Sequence, residues 1–150
     1  MPNGKMSCFV DTNLLVYAMD PGERAKRLQA KDLLKLIINR HTLVLSPQSL
    51  NEYYRVLTEK RDLVPRNEAR RLVWAWSEFC KAPYDFQVAQ QAWEIQDRHG
   101  FGWWDSMLLA SATFAGCELF FSEDMQHERV IGRLTILSPF KLDPAALFSR

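Results

Sequence analysis

A chain of 150 residues with 47% hydrophobic and 25% charged residues has the balance of one globular domain, long enough to bury roughly two-thirds of the surface its unfolded form exposes. That balance excludes a disordered or low-complexity chain, and no apolar run approaches the length of a membrane span or the h-region of a secretory signal. The net charge of +1 selects no class of partner, and Cys8, Cys80 and Cys117, an odd number without C-x-x-C spacing, are expected to be free thiols in the cytoplasm.

Ser7 to Val10 is a short apolar run that reads as a first strand, broken by Asp11 where the chain turns. Leu14, Leu15 and Ala18 follow on a brief helix that should end near Asp20-Pro21-Gly22. Ala30, Leu33, Leu34, Ile37 and Ile38 recur at helical spacing and form the core face of a longer helix. Leu43-Val44-Leu45 is a second strand candidate. It runs into Ser46-Pro47, where Ser46 suits an N-cap and Pro47 the first helical position, whose N–H would have no partner in any case. The helix so begun buries Leu50, Tyr53, Tyr54 and Leu57 and carries Glu52 at the edge of that stripe. After Pro65, the set Ala69, Leu72, Val73, Trp76, Phe79 and Cys80 marks another amphipathic helix, with Trp74 on its polar side. A helix from about Phe86 to His99 stops at Gly100. Asp105 opens the next, with Leu108, Ser111, Ala112 and Ala115 on its buried face and Gly116 at its end. Leu119-Phe120-Phe121 is a third strand, ending at Ser122-Glu123-Asp124, and Leu134 to Leu137 a fourth. No repeat or linker interrupts this order. One domain therefore spans residues 1–150, with residues 1–6 read as a leader and Met6 as an alternative start.

Short apolar strands separated by helices predict an α/β three-layer sandwich, its central parallel sheet of four or five strands covered by helices on both faces. Ligands of such sheets bind beyond the carboxyl ends of the strands, near the point where strand order reverses. Asp11, Glu52, Asp105 and Asp124 all fall at element ends that can reach that edge. Two like charges about 4 Å apart repel by about 4 kcal/mol at an effective dielectric near 20, so a gathering of carboxylates must take up protons or hold a cation. Oxygen-only ligands favour Mg²⁺ or Mn²⁺ over zinc, and His41, His99 and His127 are scattered. An ion held by Asp11, Asp105 and Asp124 suits hydrolysis of a phosphodiester, with Glu52 ligating a second ion or orienting the attacking water. Singly, each acid also suits a plainer role: Asp11 an Asx-turn or N-cap, Asp105 a first-turn acid, Glu52 a solvated helix residue and Asp124 a turn residue. The basic clusters Lys26, Arg27, Lys31, Lys35 and Lys60, Arg61, Arg66, Arg70, Arg71 fit either solvated faces or phosphate contacts.

The ordered stretches VDTNLLVYA (Val10 to Ala18), LNEYYRV (Leu50 to Val56), GWWDSMLLASA (Gly102 to Ala112), LFFSEDMQH (Leu119 to His127) and ILSPF (Ile136 to Phe140) resemble PIN-domain ribonucleases, and within them VapC-type toxins of bacterial toxin-antitoxin pairs. The resemblance implies a PIN-like sandwich in which Asp11, Glu52, Asp105 and Asp124 bind Mg²⁺ or Mn²⁺ and cut single-stranded RNA. It assigns Asn13 to holding the first loop and Ser122, where Thr is usual, to supporting the site; Ser106 stands where Ala commonly follows the third acid. It further implies a homodimer and an antitoxin whose tail packs in a groove near the acids. Trp74 is expected at an interface, whereas Trp103 and Trp104 are expected to be buried, with a partner or an RNA base as the other possibility. Two other functions compete. One is a non-catalytic RNA-binding or assembly module with the same fold. The other is an aspartyl phosphatase with D-x-D-x-T after the first strand, disfavoured because Asn13 takes the place of the second acid.

Overall fold

The central strands form on short, largely apolar runs whose residues are mostly buried, because helices cover the sheet on both sides. The structure, a computed structural model, describes residues 4–148, so residues 1–3 of the expected leader lie outside it. Five strands, β1 (Ser7–Val10), β2 (Thr42–Val44), β3 (Leu119–Phe121), β4 (Val130–Ile131) and β5 (Leu134–Leu137), form one sheet in the order β2-β1-β3-β5-β4. Phe9 lies opposite Val44 on one side and Phe120 on the other, and Phe120 opposite Ile136, all in parallel register. Alternate residues divide the core in two. Cys8, Val10, Leu43, Leu119, Phe121 and Leu137 face a cluster with α1 (Thr12–Tyr17), α2 (Arg24–Arg40), α3 (Pro47–Arg55) and α4 (Arg66–Trp76). Phe9, Val44, Phe120 and Ile136 face α5 (Phe86–His99) and α6 (Trp103–Phe114), with the Phe9 and Phe120 rings stacked 4.9 Å apart. The expected three layers are present.

The sheet departs from the expectation at its edge, where β4 pairs antiparallel with β5. Gly132, at φ +59°, supplies the left-handed residue of their tight turn. A two-residue strand with Val130 exposed carries no periodicity, which is why the sequence shows only the other four. At the carboxyl end of the chain, a short helix, α7 (Pro144–Phe148), stacks Phe148 on His41 at 4.0 Å. Among the described residues no helix is long and apolar enough to cross a membrane.

Three local features position the site. Ser46 caps α3: its hydroxyl accepts from the Ser49 N–H at 3.2 Å while Ser49 Oγ receives the Ser46 N–H at 3.4 Å, and Pro47 occupies the first turn. Past Arg55 the helix widens into a π-helical turn, Val56–Lys60, that sinks Leu57 into the core and leaves Lys60 exposed. Next in the chain, Arg61 pairs with Asp20 at 2.5 Å; Asp20, only 2% exposed, also accepts the Gly22 N–H. The third feature is the start of α6, two residues earlier than expected, with Gly102 as N-cap. Asp105 thus lies in the first turn, where the helix dipole favours an acid. On this first turn Trp104 is 62% exposed rather than buried, and Trp103 is half-buried against the second cluster. Trp74 is 79% exposed on α4, in line with its place on the polar face.

Ser46 is fully buried and its hydroxyl fixes the first turn of α3. Ser46→Ala is expected to lower the unfolding free energy by about 1–2 kcal/mol, measured as a reduced urea midpoint with an unchanged slope.

Candidate active site

Strand order reverses between β1 and β3: the chain leaves β1 for β2 on one side, and leaves β3 for the β4–β5 hairpin on the other. Their parallel ladder continues one residue past the strands, the Asp11 N–H donating to the Phe121 carbonyl at 2.9 Å. Asp11 therefore meets Ser122, whose hydroxyl donates to Asp11 Oδ2 at 2.9 Å, while Oδ1 caps α1 by accepting the Thr12 N–H at 2.8 Å. Ser122 is fully buried beneath the acid.

The other three acids arrive from separate elements. Glu52, on α3, accepts from Gln48 Nε2 at 3.0 Å through Oε1 and from Thr12 Oγ1 at 3.4 Å through Oε2. Asp124, in the loop after β3, accepts from Asn13 Nδ2 at 3.1 Å. Asp105 comes from the first turn of α6. Asp11, Glu52, Asp105 and Asp124 line one cleft of about 340 Å³, together with Thr12, Asn13, Tyr17, Lys60 and Arg61. The structure thus brings all four predicted acids and Asn13 to a single opening, with Ser122 as a support below.

Among the described residues none of the four acids makes an ion pair, although acids close to them in sequence do: Glu123 with Lys26 at 2.7 Å and Asp20 with Arg61. Burial pushes the Asp11 carboxyl up to about 6; the hydrogen bonds from Ser122 and Thr12 pull against this, and the charges of Asp105 and Glu52 add to it. Asp105 is raised by loss of water around its carboxyl, then by Glu52 and Asp124. Like charges therefore feel one another across the cleft.

The donor set is of the kind hard divalent ions take. It offers carboxylate oxygens, and Asn13 Oδ1 is buried without a hydrogen-bond partner; neither His nor Cys lines the cleft. The acids stand around the opening rather than closed on a point: among the described residues no group of three His, Cys, Asp or Glu is drawn up to hold a metal ion. Asp105 and Asp124, both exposed, would have to close on the half-buried Asp11. The chemistry of the residues fits Mg²⁺ or Mn²⁺.

Sequence reasoning passed over Gln48 and Thr12. The i, i+4 spacing of Gln48 and Glu52 was the available signal, and Thr12 is the residue after the first acid. Lys60 and Arg61 were visible only as part of a basic cluster.

The raised carboxyl of Asp11 has a defined effect on stability. The folded state holds this proton more tightly than the unfolded chain, so the penalty is absent below about pH 4 and develops as pH rises to about 6. With EDTA present, Asp11→Asn should be more stable than the parent at pH 7.5 by about 1–2 kcal/mol, a figure discounted for the water that still reaches the half-buried group. The gap should close toward pH 4, as followed by thermal melts across that range.

The PIN domain family matches residues 8–132 of this chain. A comparison with curated protein sequences finds no match. Among solved structures, the chain is similar to VapBC2 from Rickettsia felis, crystallised bound to a DNA fragment from its promoter: TM-score 0.64, 14% identity, covering 89% of this chain and 98% of the other. It is also similar to VapC20 of Mycobacterium tuberculosis, a sarcin-ricin loop cleaving toxin, with TM-score 0.59, 20% identity, and coverage of 78% and 89%. At such identities the likeness is one of fold. With 8–132 matched, the chain belongs to the PIN-domain family.

Proposed function

We propose that this protein is a Mg²⁺- or Mn²⁺-dependent endoribonuclease that cuts single-stranded RNA, the toxin of a bacterial toxin-antitoxin pair. The observation that carries the reading is the cleft itself, where carboxylates from four separate elements gather at the strand-order reversal and none is neutralised by a described cation. Membership of the PIN-domain family and a fold shared with a toxin described as cleaving the sarcin-ricin loop support it.

Asp11, Asp105 and Asp124 would hold the ion, which when bound lowers the pKa of a coordinated water and offsets charge developing on the phosphate. Glu52 is the proton acceptor for the attacking water, its carboxylate held at both oxygens by Gln48 and Thr12. Asn13 fixes Asp124, and Ser122 fixes Asp11. Lys60, exposed on the cleft wall and without an ion pair among the described residues, meets a phosphate of the RNA backbone; Arg61 is committed to Asp20. The cognate antitoxin, a homodimer and a cytoplasmic setting complete the reading, and the apolar surface around the exposed Trp74 is a natural place for a protein contact.

With MnCl₂ or MgCl₂ the purified protein should cleave a labelled single-stranded RNA, and EDTA should stop it. Asp11→Asn and Asp124→Ala should each reduce the rate by about 100-fold or more. Undiminished cleavage by both variants would sink the assignment, and unchanged RNA affinity without any turnover would point to the non-catalytic module instead. Lys60→Ala should raise KM by about fivefold, leave kcat unchanged and make the salt dependence of binding shallower.

A further inference from the structure

We infer that Gln48 is a positioning residue that holds Glu52 in place and ties it to the helix turn carrying Asp105. The inference rests on the nuclease reading above and goes beyond the four acids.

Gln48 lies on the first turn of α3, one turn before Glu52, and is only 7% exposed. Its amide Nε2 donates to Glu52 Oε1 at 3.0 Å and to the Trp104 carbonyl at 3.2 Å, and its Oε1 accepts the Tyr84 hydroxyl at 2.5 Å. Both amide protons are thus in use. Turning the amide over would set its oxygen against a carboxylate and a carbonyl, acceptor facing acceptor, so the network allows one orientation. Tyr84, half-buried ahead of α5, sits 36 residues away in sequence, and Trp104, adjacent to Asp105, sits 56 away.

An apolar side chain of similar length would fill the same space, so packing alone does not call for an amide here. What the amide adds is direction. Glu52 has three rotatable bonds and is only half-buried; left to solvent it would sample several rotamers. Held at Oε1 by Gln48 and met at Oε2 by the Thr12 hydroxyl, whose one proton is shared with the Ser49 carbonyl, its carboxylate is oriented in the cleft chiefly by the amide. Through the Trp104 carbonyl the same amide joins α3 to the first turn of α6. Two acids from helices at opposite ends of the stretch between β2 and β3 are thereby set relative to each other by one buried side chain, with Tyr84 fixing its far end.

The test is single-turnover and steady-state cleavage of a labelled single-stranded RNA with MnCl₂, for the parent, Gln48→Leu, Tyr84→Phe, Glu52→Gln and the double variant Gln48→Leu/Glu52→Gln. Gln48→Leu should lower kcat by about 10- to 100-fold with KM within about twofold, and Tyr84→Phe by a smaller factor in the same direction. In the Glu52→Gln background, adding Gln48→Leu should change the rate by less than about twofold, because the amide acts through Glu52. Losses that multiply in the double variant would overturn the role, as would Gln48→Leu keeping its kcat while Asp11→Asn is inactive. Should Gln48→Leu fail to fold, Tyr84→Phe, which loses one hydroxyl, carries the same cycle with Glu52→Gln. If the parent does not cleave, or Asp11→Asn cleaves as well as the parent, the nuclease reading falls and this role falls with it.

Discussion

One backbone hydrogen bond, from the Asp11 N–H to the Phe121 carbonyl, sets the frame for the rest of the site. It carries the β1–β3 ladder a residue past its last strand pair and holds Asp11 against Ser122 at the centre of the sheet. Beyond that point the two segments must diverge, because β1 leads to β2 on one side and β3 to the β4–β5 hairpin on the other. The opening between them is a consequence of topology rather than of any side chain. α3, leaving β2, and α6, leading toward β3, then bring Glu52 and Asp105 to the same opening. Asp124 follows from β3 itself, three residues past Phe121.

The arrangement works against the stability of the folded chain. Asp11 is desolvated and feels two neighbouring carboxylates, and its bonds from Thr12 and Ser122 offset only part of that. Substituting Ser122 would worsen the balance, since the Thr12 bond comes from the backbone N–H, whereas removing the charge would relieve it. A residue kept in such a place for folding alone would be better uncharged. The hydroxyls of Ser122 and Thr12 and the amides of Asn13 and Gln48 form a neutral shell around the acids that orients them without cancelling their charge.

What could be read from the sequence follows from how locally each feature is determined. The four parallel strands are legible because burial on both faces makes them largely apolar, and the Gly100 stop of α5 because only glycine takes its φ of +76° without strain. β4 is too short to show a pattern. An indole suggests a core, yet Trp104 stands 62% exposed on the first turn of α6, next to Asp105 at the cleft. Within the cleft, the acids could be gathered from their positions at element ends. Gln48 could not, because its burial and two of its three bonds depend on Tyr84 and Trp104, which only the folded chain brings near. Asp20 escaped notice for the same reason: its role as a buried partner of Arg61 is decided by the π-helical turn that places Arg61.

That pair also explains why the catalytic candidates stay uncompensated in a chain with nearly balanced charge. Lys26, Lys60 and Arg61 are all near the cleft or its Tyr17 wall, so cations are within reach. Where they go is decided by burial. Moving Arg61 from Asp20 to Asp105 would strand a carboxylate that is 2% exposed, at a cost of about 3–5 kcal/mol, while a solvent-exposed ion pair at Asp105 would return at most about 1 kcal/mol. Lys26 is engaged at 2.7 Å by Glu123, whose Oε2 is buried without a hydrogen-bond partner. Asp20 and Glu123 take the available cations, and uncompensated charge collects on the acids that line the cleft.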